Sequence, residues 1–132
     1  MPAQQVTVRD HITQVPSAVR PTIEAARRLV KEVAPKSTEI AYQGGPPRGK
    51  SFMWKIARYA VEGKNVVGIG TFSDHSTLFF YRGRELDDGT GLLEGSGKDS
   101  RFITLRSPAD AERAPVKRLL QRAFKLAGAD RS

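Results

Sequence analysis

The chain has 132 residues, of which 39% are hydrophobic and 27% are charged, and this composition is typical of one globular domain rather than of a disordered chain. It contains no cysteine, which excludes disulfide frameworks, thiolate zinc sites and cysteine nucleophiles. Lys and Arg outnumber Asp and Glu by 22 to 14, and the net charge of +8 favours anionic partners such as nucleic acid, nucleotides or an acidic protein, although general solubility explains it equally well.

The first residues of the chain and its longest apolar stretches indicate the cellular location of the protein. The first ten residues are polar and lack the apolar run of a secretory signal. No stretch approaches the roughly eighteen apolar residues that a membrane span requires. We therefore predict a cytoplasmic protein without a membrane span, with a single domain over residues 1–132 and a frayed terminus at residues 1–5.

Two helices are predicted first along the chain. Residues 6–14 predict a short helix that ends at Val15, because the residue before a proline is excluded from the α region. A longer helix begins near Pro21, which suits a first helical turn, and ends at Ala34. Its apolar side chains fall on one face at helical spacing: Ile23, Ala26, Leu29, Val30 and Val33.

Strands follow, and a last helix closes the chain. Residues 39–42, 53–61, 66–72, 77–81 and 101–105 are predicted as strands, with a helix as the alternative for the second. Short turns at residues 62–65 and 73–76 make neighbouring strands antiparallel. A polar, glycine-rich connection spans residues 82–100, and residues 111–127 predict an amphipathic helix. The predicted fold is α+β, an antiparallel meander of about five strands with N- and C-terminal helices on one face.

Glycine is unusually placed in two segments of the chain. Residues 44–51, GGPPRGKS, match the phosphate-binding pattern G-x-x-x-x-G-K-[ST] letter for letter. Pro46 and Pro47, however, lack two of the N–H donors that such a loop uses, so we interpret the string as a chance match in a loop. Gly68 and Gly70, inside a strand, predict the close approach of a helix or another backbone. No string indicates a catalytic centre, and we predict a non-catalytic protein without a cofactor.

Cations alternate with aromatic rings around the second strand. The residues concerned are Lys50, Trp54, Lys55, Arg58 and Tyr59. Proteins that bind single-stranded nucleic acid use such interleaving, and each stacked base contributes about 1–3 kcal/mol. The same alternation is typical of a half-buried strand whose aromatic residues belong to the core, and the sequence leaves both interpretations open.

Carboxylates cluster in the long connection, at Glu85, Asp87, Asp88 and Glu94. Hard cations bind such groups, so a calcium or iron site is an alternative. The Asp-Asp-Gly string is equally a turn signal, and the two histidines, His11 and His75, lie far apart in the chain.

Two blocks of the sequence resemble the YdhG-like family, catalogued as domain of unknown function 1801. Residues 35–42, PKSTEIAY, resemble the family's opening pattern P-x-x-x-E-x-I/A-Y, and residues 86–105, LDDGTGLLEGSGKDSRFITL, resemble its second block. The resemblance extends over residues 6–127 and implies a compact α+β fold with an antiparallel sheet, similar to folds grouped with secretion chaperones. Some members are labelled frataxin-like iron chaperones, a role that the +8 charge of this chain disfavours because it repels cations.

We predict a small binding or chaperone-like domain that recognises an anionic ligand or a protein partner. Its candidate site lies between the sheet and the connections, at Glu39, Tyr42, Trp54, Lys98 and Arg101. The glycine-rich connection would bring its backbone close to the ligand, and Lys98 and Arg101 would supply charge. Nucleic-acid binding through Lys50, Trp54, Lys55 and Arg58 is the first alternative. Iron binding through the carboxylates of the connection is the second.

Overall fold

The computed structural model describes residues 5–49, 51–87 and 89–129, so the predicted frayed terminus lies outside the described residues except at Gln5. The first helix, α1 (Val8–Gln14), begins with a capping box. Asp10 N–H donates to the Thr7 hydroxyl, and the Asp10 carboxylate accepts from Thr7 N–H. It ends at Val15, whose backbone is extended before Pro16. The second helix, α2 (Arg20–Val33), has Pro21 in its first turn, as predicted.

The predicted meander is confirmed. In the described part of the chain the sheet has five antiparallel strands in sequence order. They are β1 (Thr38–Ala41), β2 (Trp54–Val61), β3 (Lys64–Thr71), β4 (Ser76–Phe80) and β5 (Arg101–Leu105). Glu62 and Gly63 join β2 to β3 with φ angles of 50° and 80°, the conformation of a two-residue type I′ hairpin whose twist matches the strands.

Strand residues alternate between two faces, and one face carries the core. Val67 of β3 pairs with Phe80 of β4, and Ile69 pairs with Leu78, so these four side chains point the same way. All four are buried, and helices α1 and α2 pack on that side. Each such residue stabilises the fold by about 1.5–3 kcal/mol through burial of apolar surface. The predicted arrangement of helices on one face of the sheet is therefore confirmed.

The C-terminal helix begins later than residue 111. A short helix, α4 (Pro108–Ala111), is followed by α5 (Ala114–Ala129), which packs on the same side of the sheet as α2. The break arises because Pro115 has no N–H to donate to the carbonyl of Ala111, whereas a first-turn position needs no such bond. The long connection also contains one helical turn, α3 (Gly83–Leu86). None of the helices within the described ranges combines the length and apolar character that a membrane span requires.

Candidate ligand-binding site on the open sheet face

The face of the sheet opposite the core, here called the open face, is covered by no described helix and contains a cavity of about 570 Å³. This volume lies within the range of about 300–1,000 Å³ that is usual for small-molecule sites. We call it the aromatic cavity. Its lining comes from β2, β4, β5 and the residues flanking the strands: Tyr42, Met53, Lys55, Phe72, His75, Thr77, Phe79, Tyr81, Ser100, Phe102 and Thr104.

Two glycines of β3 create the floor of the aromatic cavity. A Cβ atom added at Gly68 would overlap the ring of Phe79, and one added at Gly70 would overlap the side chain of Met53. The Phe79 ring and the Met53 thioether therefore lie flat across the strand. The prediction of a close helix or backbone is wrong at Gly68, where a side chain takes the space. At Gly70 the Trp54 carbonyl also lies near, at 3.2 Å from the added Cβ.

Aromatic rings form the walls. Phe72 stacks on His75 with 4.7 Å between ring centroids and an interplanar angle of 20°. Phe79 meets Tyr81 edge to face at 5.7 Å, and Phe102 lies opposite Phe79 on the neighbouring strand. Flat apolar surfaces arranged around a floor in this way suit a planar ring, which gains about 0.5–1.5 kcal/mol per aromatic contact beyond its burial.

Polar and cationic groups lie at one end, around Tyr42. Its hydroxyl hydrogen-bonds to that of Tyr81. Burial and this hydrogen bond raise the pKa of Tyr42 further above its ordinary value, so the hydroxyl stays protonated well beyond neutral pH. The Lys55 ammonium and the Arg58 guanidinium lie 5.5 Å and 5.6 Å from the centroid of the Tyr42 ring, within the distance of a cation–π contact.

Arg58 also carries an unsatisfied donor. Its Nε is buried and has no hydrogen-bond partner among the described residues. Buried polar atoms without a partner are rare, and a missing partner costs about 1–3 kcal/mol, more for a charged group. An anionic group placed beside the Tyr42 ring would be attracted by the positive charges of Lys55 and Arg58.

Of the five predicted site residues, only Tyr42 lines the aromatic cavity. Glu39 pairs with Tyr59 across β1 and β2, so its side chain lies on the core side of the sheet. There it accepts two hydrogen bonds from Arg27, at 2.8 Å and 2.9 Å, and one from the Tyr59 hydroxyl at 2.6 Å. Burial alone would raise the pKa of Glu39, but these hydrogen bonds outweigh it and hold the pKa at about 2. Glu39 is therefore placed in a structural ion pair.

Trp54 lies in the core at 9% exposure. Its indole N–H donates to Nδ1 of His11 at 3.0 Å, and Nε2 of His11 lies 2.7 Å from the carbonyl oxygen of Tyr42. Because Nδ1 accepts, Nε2 carries the proton and donates to that carbonyl. His11 thus ties α1 to the residue that closes one end of the aromatic cavity.

The remaining two predicted residues lie at the start of β5. Arg101 pairs with Phe80, which directs its side chain to the core side, and its guanidinium donates to the carbonyls of Gly97 and Ser100. Lys98 is exposed in the connection. Neither lines the aromatic cavity.

The structure divides the residues of the nucleic-acid alternative between the two faces. Lys55 pairs with Gly70 and Arg58 with Gly68, which places both cations on the open face. Trp54 pairs with Thr71 and faces the core. Lys50 lies outside the described residues.

The described carboxylates that were predicted as alternative metal ligands each bind a different partner. Glu85 pairs with Arg82 at 2.6 Å, the Asp87 carboxylate accepts from the N–H of Gly89, and Glu94 accepts from the Thr104 hydroxyl. Asp88 lies outside the described residues. Within the ranges that the structure covers, no three metal-ligating side chains converge.

A second cavity, of about 600 Å³, lies between the long connection and α5. Arg113, Arg118 and Arg122 line it, with Glu94 on the wall. These arginines are exposed, and Arg122 already donates to the carbonyl of Leu86. The aromatic cavity is the better candidate site because Arg58, beside its Tyr42 wall, has a buried Nε–H donor without a partner among the described residues.

Sequence reasoning missed most of the lining residues, because they belong to different strands. One signal was present: Phe79 and Tyr81 alternate with the core residues Leu78 and Phe80, which indicates a β-strand with apolar residues on both faces.

Comparisons of the chain with protein-family models, with curated proteins and with solved structures gave no match, so the resemblance to the YdhG-like family stays a prediction and the site is interpreted from its own geometry.

Proposed function

We propose that this chain is a non-catalytic binding protein that holds an anionic ligand with a planar ring in the aromatic cavity. The observation that carries the proposal is the buried Nε of Arg58, which lacks a partner beside a cavity lined by aromatic rings. The ring of the ligand would lie between Phe72, Phe79 and Phe102, and its anionic group would meet Arg58 and Lys55.

The charges around the cavity support an anion over a cation. Lys55 and Arg58 both contact the Tyr42 ring. The carboxylates that hydrogen-bond to lining residues, Asp74 to His75 and Glu94 to Thr104, are both exposed. A cationic ligand would meet two positive charges. The concave shape also favours a small ligand over a protein surface, since small-molecule sites are concave and mostly apolar with a few polar groups.

The polar groups of the lining are held in place by hydrogen bonds. Tyr42 and Tyr81 hydrogen-bond to each other, and Nδ1 of His75 is bonded to Asp74 at 2.7 Å. These contacts orient the walls of the cavity. A binding protein needs walls that are held in place, because a preorganised site loses less conformational entropy when it binds.

The first test is a fluorescence titration with 8-anilinonaphthalene-1-sulfonate, a planar aromatic anion. We expect the double variant Lys55→Ala, Arg58→Ala to bind this probe about tenfold more weakly than the unchanged protein, a loss of about 1.4 kcal/mol. The reason is the loss of both charges that face the sulfonate. N-phenyl-1-naphthylamine, a neutral analogue, should bind the two proteins equally.

The matched control is the double variant Arg28→Ala, Lys125→Ala. It removes the same net charge from α2 and α5, on the other side of the sheet, where both residues are exposed. We expect unchanged affinity for the sulfonate. Equal weakening by both double variants would mean that overall charge, and not the open face, attracts the anion, and would refute the proposal.

A further inference from the structure

A second groove lies next to the aromatic cavity, at the end of β3 where Phe72 follows Thr71. This groove, of about 290 Å³, is lined by Pro46, Pro47, Arg48, Phe52 and Trp54, together with Phe72 and neighbouring residues. Phe72 belongs to both linings, so its ring joins the two spaces. We call the two adjoining spaces the path.

The far end of the path presents an exposed aromatic ring. Phe52 is 63% exposed, the one large hydrophobic side chain in the described ranges that is so open. Its ring packs beside Gly49, where an added Cβ would lie 3.8 Å from Cδ2 of Phe52. An aromatic ring presented to solvent at the mouth of a groove is a surface for stacking, because burying it against another ring removes apolar area from water.

Cations accompany the rings along this path. Arg48 lines the second groove, and Lys55 and Arg58 lie at the far end of the aromatic cavity beside Tyr42. Arg48 has no ion pair among the described residues, and the net charge of the chain is +8. Positive groups beside aromatic rings are complementary to a polymer in which every unit carries one negative charge and one planar ring.

We infer that the ligand of this path is single-stranded nucleic acid. One base would stack on the Phe72 and His75 rings and another on Phe52, with phosphates held by Arg48, Lys55 and Arg58. This inference rests on the proposed function, because one of the two base sites is the aromatic cavity. An acidic peptide would satisfy the cations but would offer no planar group to Phe52 and Phe72 at each step.

The experiment measures the binding of fluorescein-labelled oligothymidylates and oligouridylates of increasing length by anisotropy, with uridine monophosphate as a competitor. We expect the affinity to rise from the mononucleotide to about three or four nucleotides. Phe52→Ala should weaken the binding of the longer oligonucleotides about tenfold, because it removes the ring on which one base stacks. The same variant should leave the affinity for the naphthalene sulfonate unchanged.

Salt dependence and a pair of charge variants complete the test. Three phosphate contacts on a single strand predict a loss of affinity of about twentyfold between about 50 and 200 mM salt. The slope of log affinity against log salt concentration measures the number of phosphate contacts, and Arg48→Ala should reduce this slope by the amount expected for about one contact. Arg28→Ala, which removes the same charge from an exposed position on α2, should leave the slope unchanged.

The outcomes separate the two proposals. If the sulfonate binds in the cavity but oligonucleotides bind no more tightly than uridine monophosphate, the nucleic-acid inference is refuted and the proposed function stands. If Arg28→Ala and Arg48→Ala lower the slope equally, the groove is not the binding path and the inference is again refuted. If neither the sulfonate nor any oligonucleotide binds, both proposals fail.

Discussion

Replacing His11 with phenylalanine is expected to lower the free energy of unfolding by about 3 kcal/mol, because one buried and one partly buried polar group lose their partners at about 1–3 kcal/mol each. These groups are the indole N–H of Trp54 and the carbonyl of Tyr42, which bind the two nitrogens of His11. Phenylalanine retains an aromatic ring and leaves no cavity, but its ring is larger than that of histidine, so part of the loss reports overpacking at this buried site. The measurement is urea unfolding followed by circular dichroism.

His11→Gln is the matched variant. The amide oxygen of glutamine is able to accept from Trp54 while its amide nitrogen donates to Tyr42, so we expect a clearly smaller loss than in His11→Phe. The phenylalanine variant should also bind the naphthalene sulfonate more weakly, since His11 holds the backbone of Tyr42. If His11→Phe unfolds at the same urea concentration as the unchanged protein, the buried pair of hydrogen bonds does not stabilise the fold.

The second large effect is a pH-dependent contribution of Glu39 to stability. Its pKa is lowered from an ordinary value of 4.5 to about 2 in the folded protein. A lowered pKa stabilises the folded state fully above the unfolded-state value, and this stabilisation is lost as the pH falls toward the folded-state value. The full contribution at neutral pH is about 3 kcal/mol, and about 2 kcal/mol of it should be lost between pH 7 and pH 3.

Glu39→Gln isolates this contribution, since all other carboxylates are common to both proteins. The variant should be less stable than the unchanged protein at pH 7, because Arg27 and Tyr59 then face a neutral side chain. The difference in unfolding free energy should narrow by about 2 kcal/mol at pH 3. A difference that stays constant between the two pH values would show that the Glu39 carboxylate is not held in its ionised form by the fold.

The fold was predictable because its signals are local. Pro16 and Pro21 mark one helix end and one helix start, and the turn at Glu62 and Gly63 joins two apolar runs over two residues. The predicted start of the last helix, residue 111, is wrong because it places Pro115 beyond the first turn, where a proline does not fit, whereas α5 begins at Ala114.

The site was far less predictable, because it depends on which face each strand residue occupies after the strands pair. Trp54 and Lys55 are neighbours in the chain, yet one faces the core and the other the open face. Glu39 and Tyr42 were grouped by their nearness in sequence, and the sheet separates them in the same way. Phe79 and Phe102, which define the walls, are 23 positions apart and meet only through the pairing of β4 with β5.

The most direct test of the binding site is a map of amide chemical shifts in ¹H–¹⁵N spectra during titration with 8-anilinonaphthalene-1-sulfonate. We expect the largest changes on the open face, at Lys55, Arg58, Thr77 and Phe102, while the amides of α5 stay unchanged. Changes concentrated at Arg113, Arg118 and Arg122 would place the ligand in the cavity beside α5 and would contradict the assignment of the site to the open face.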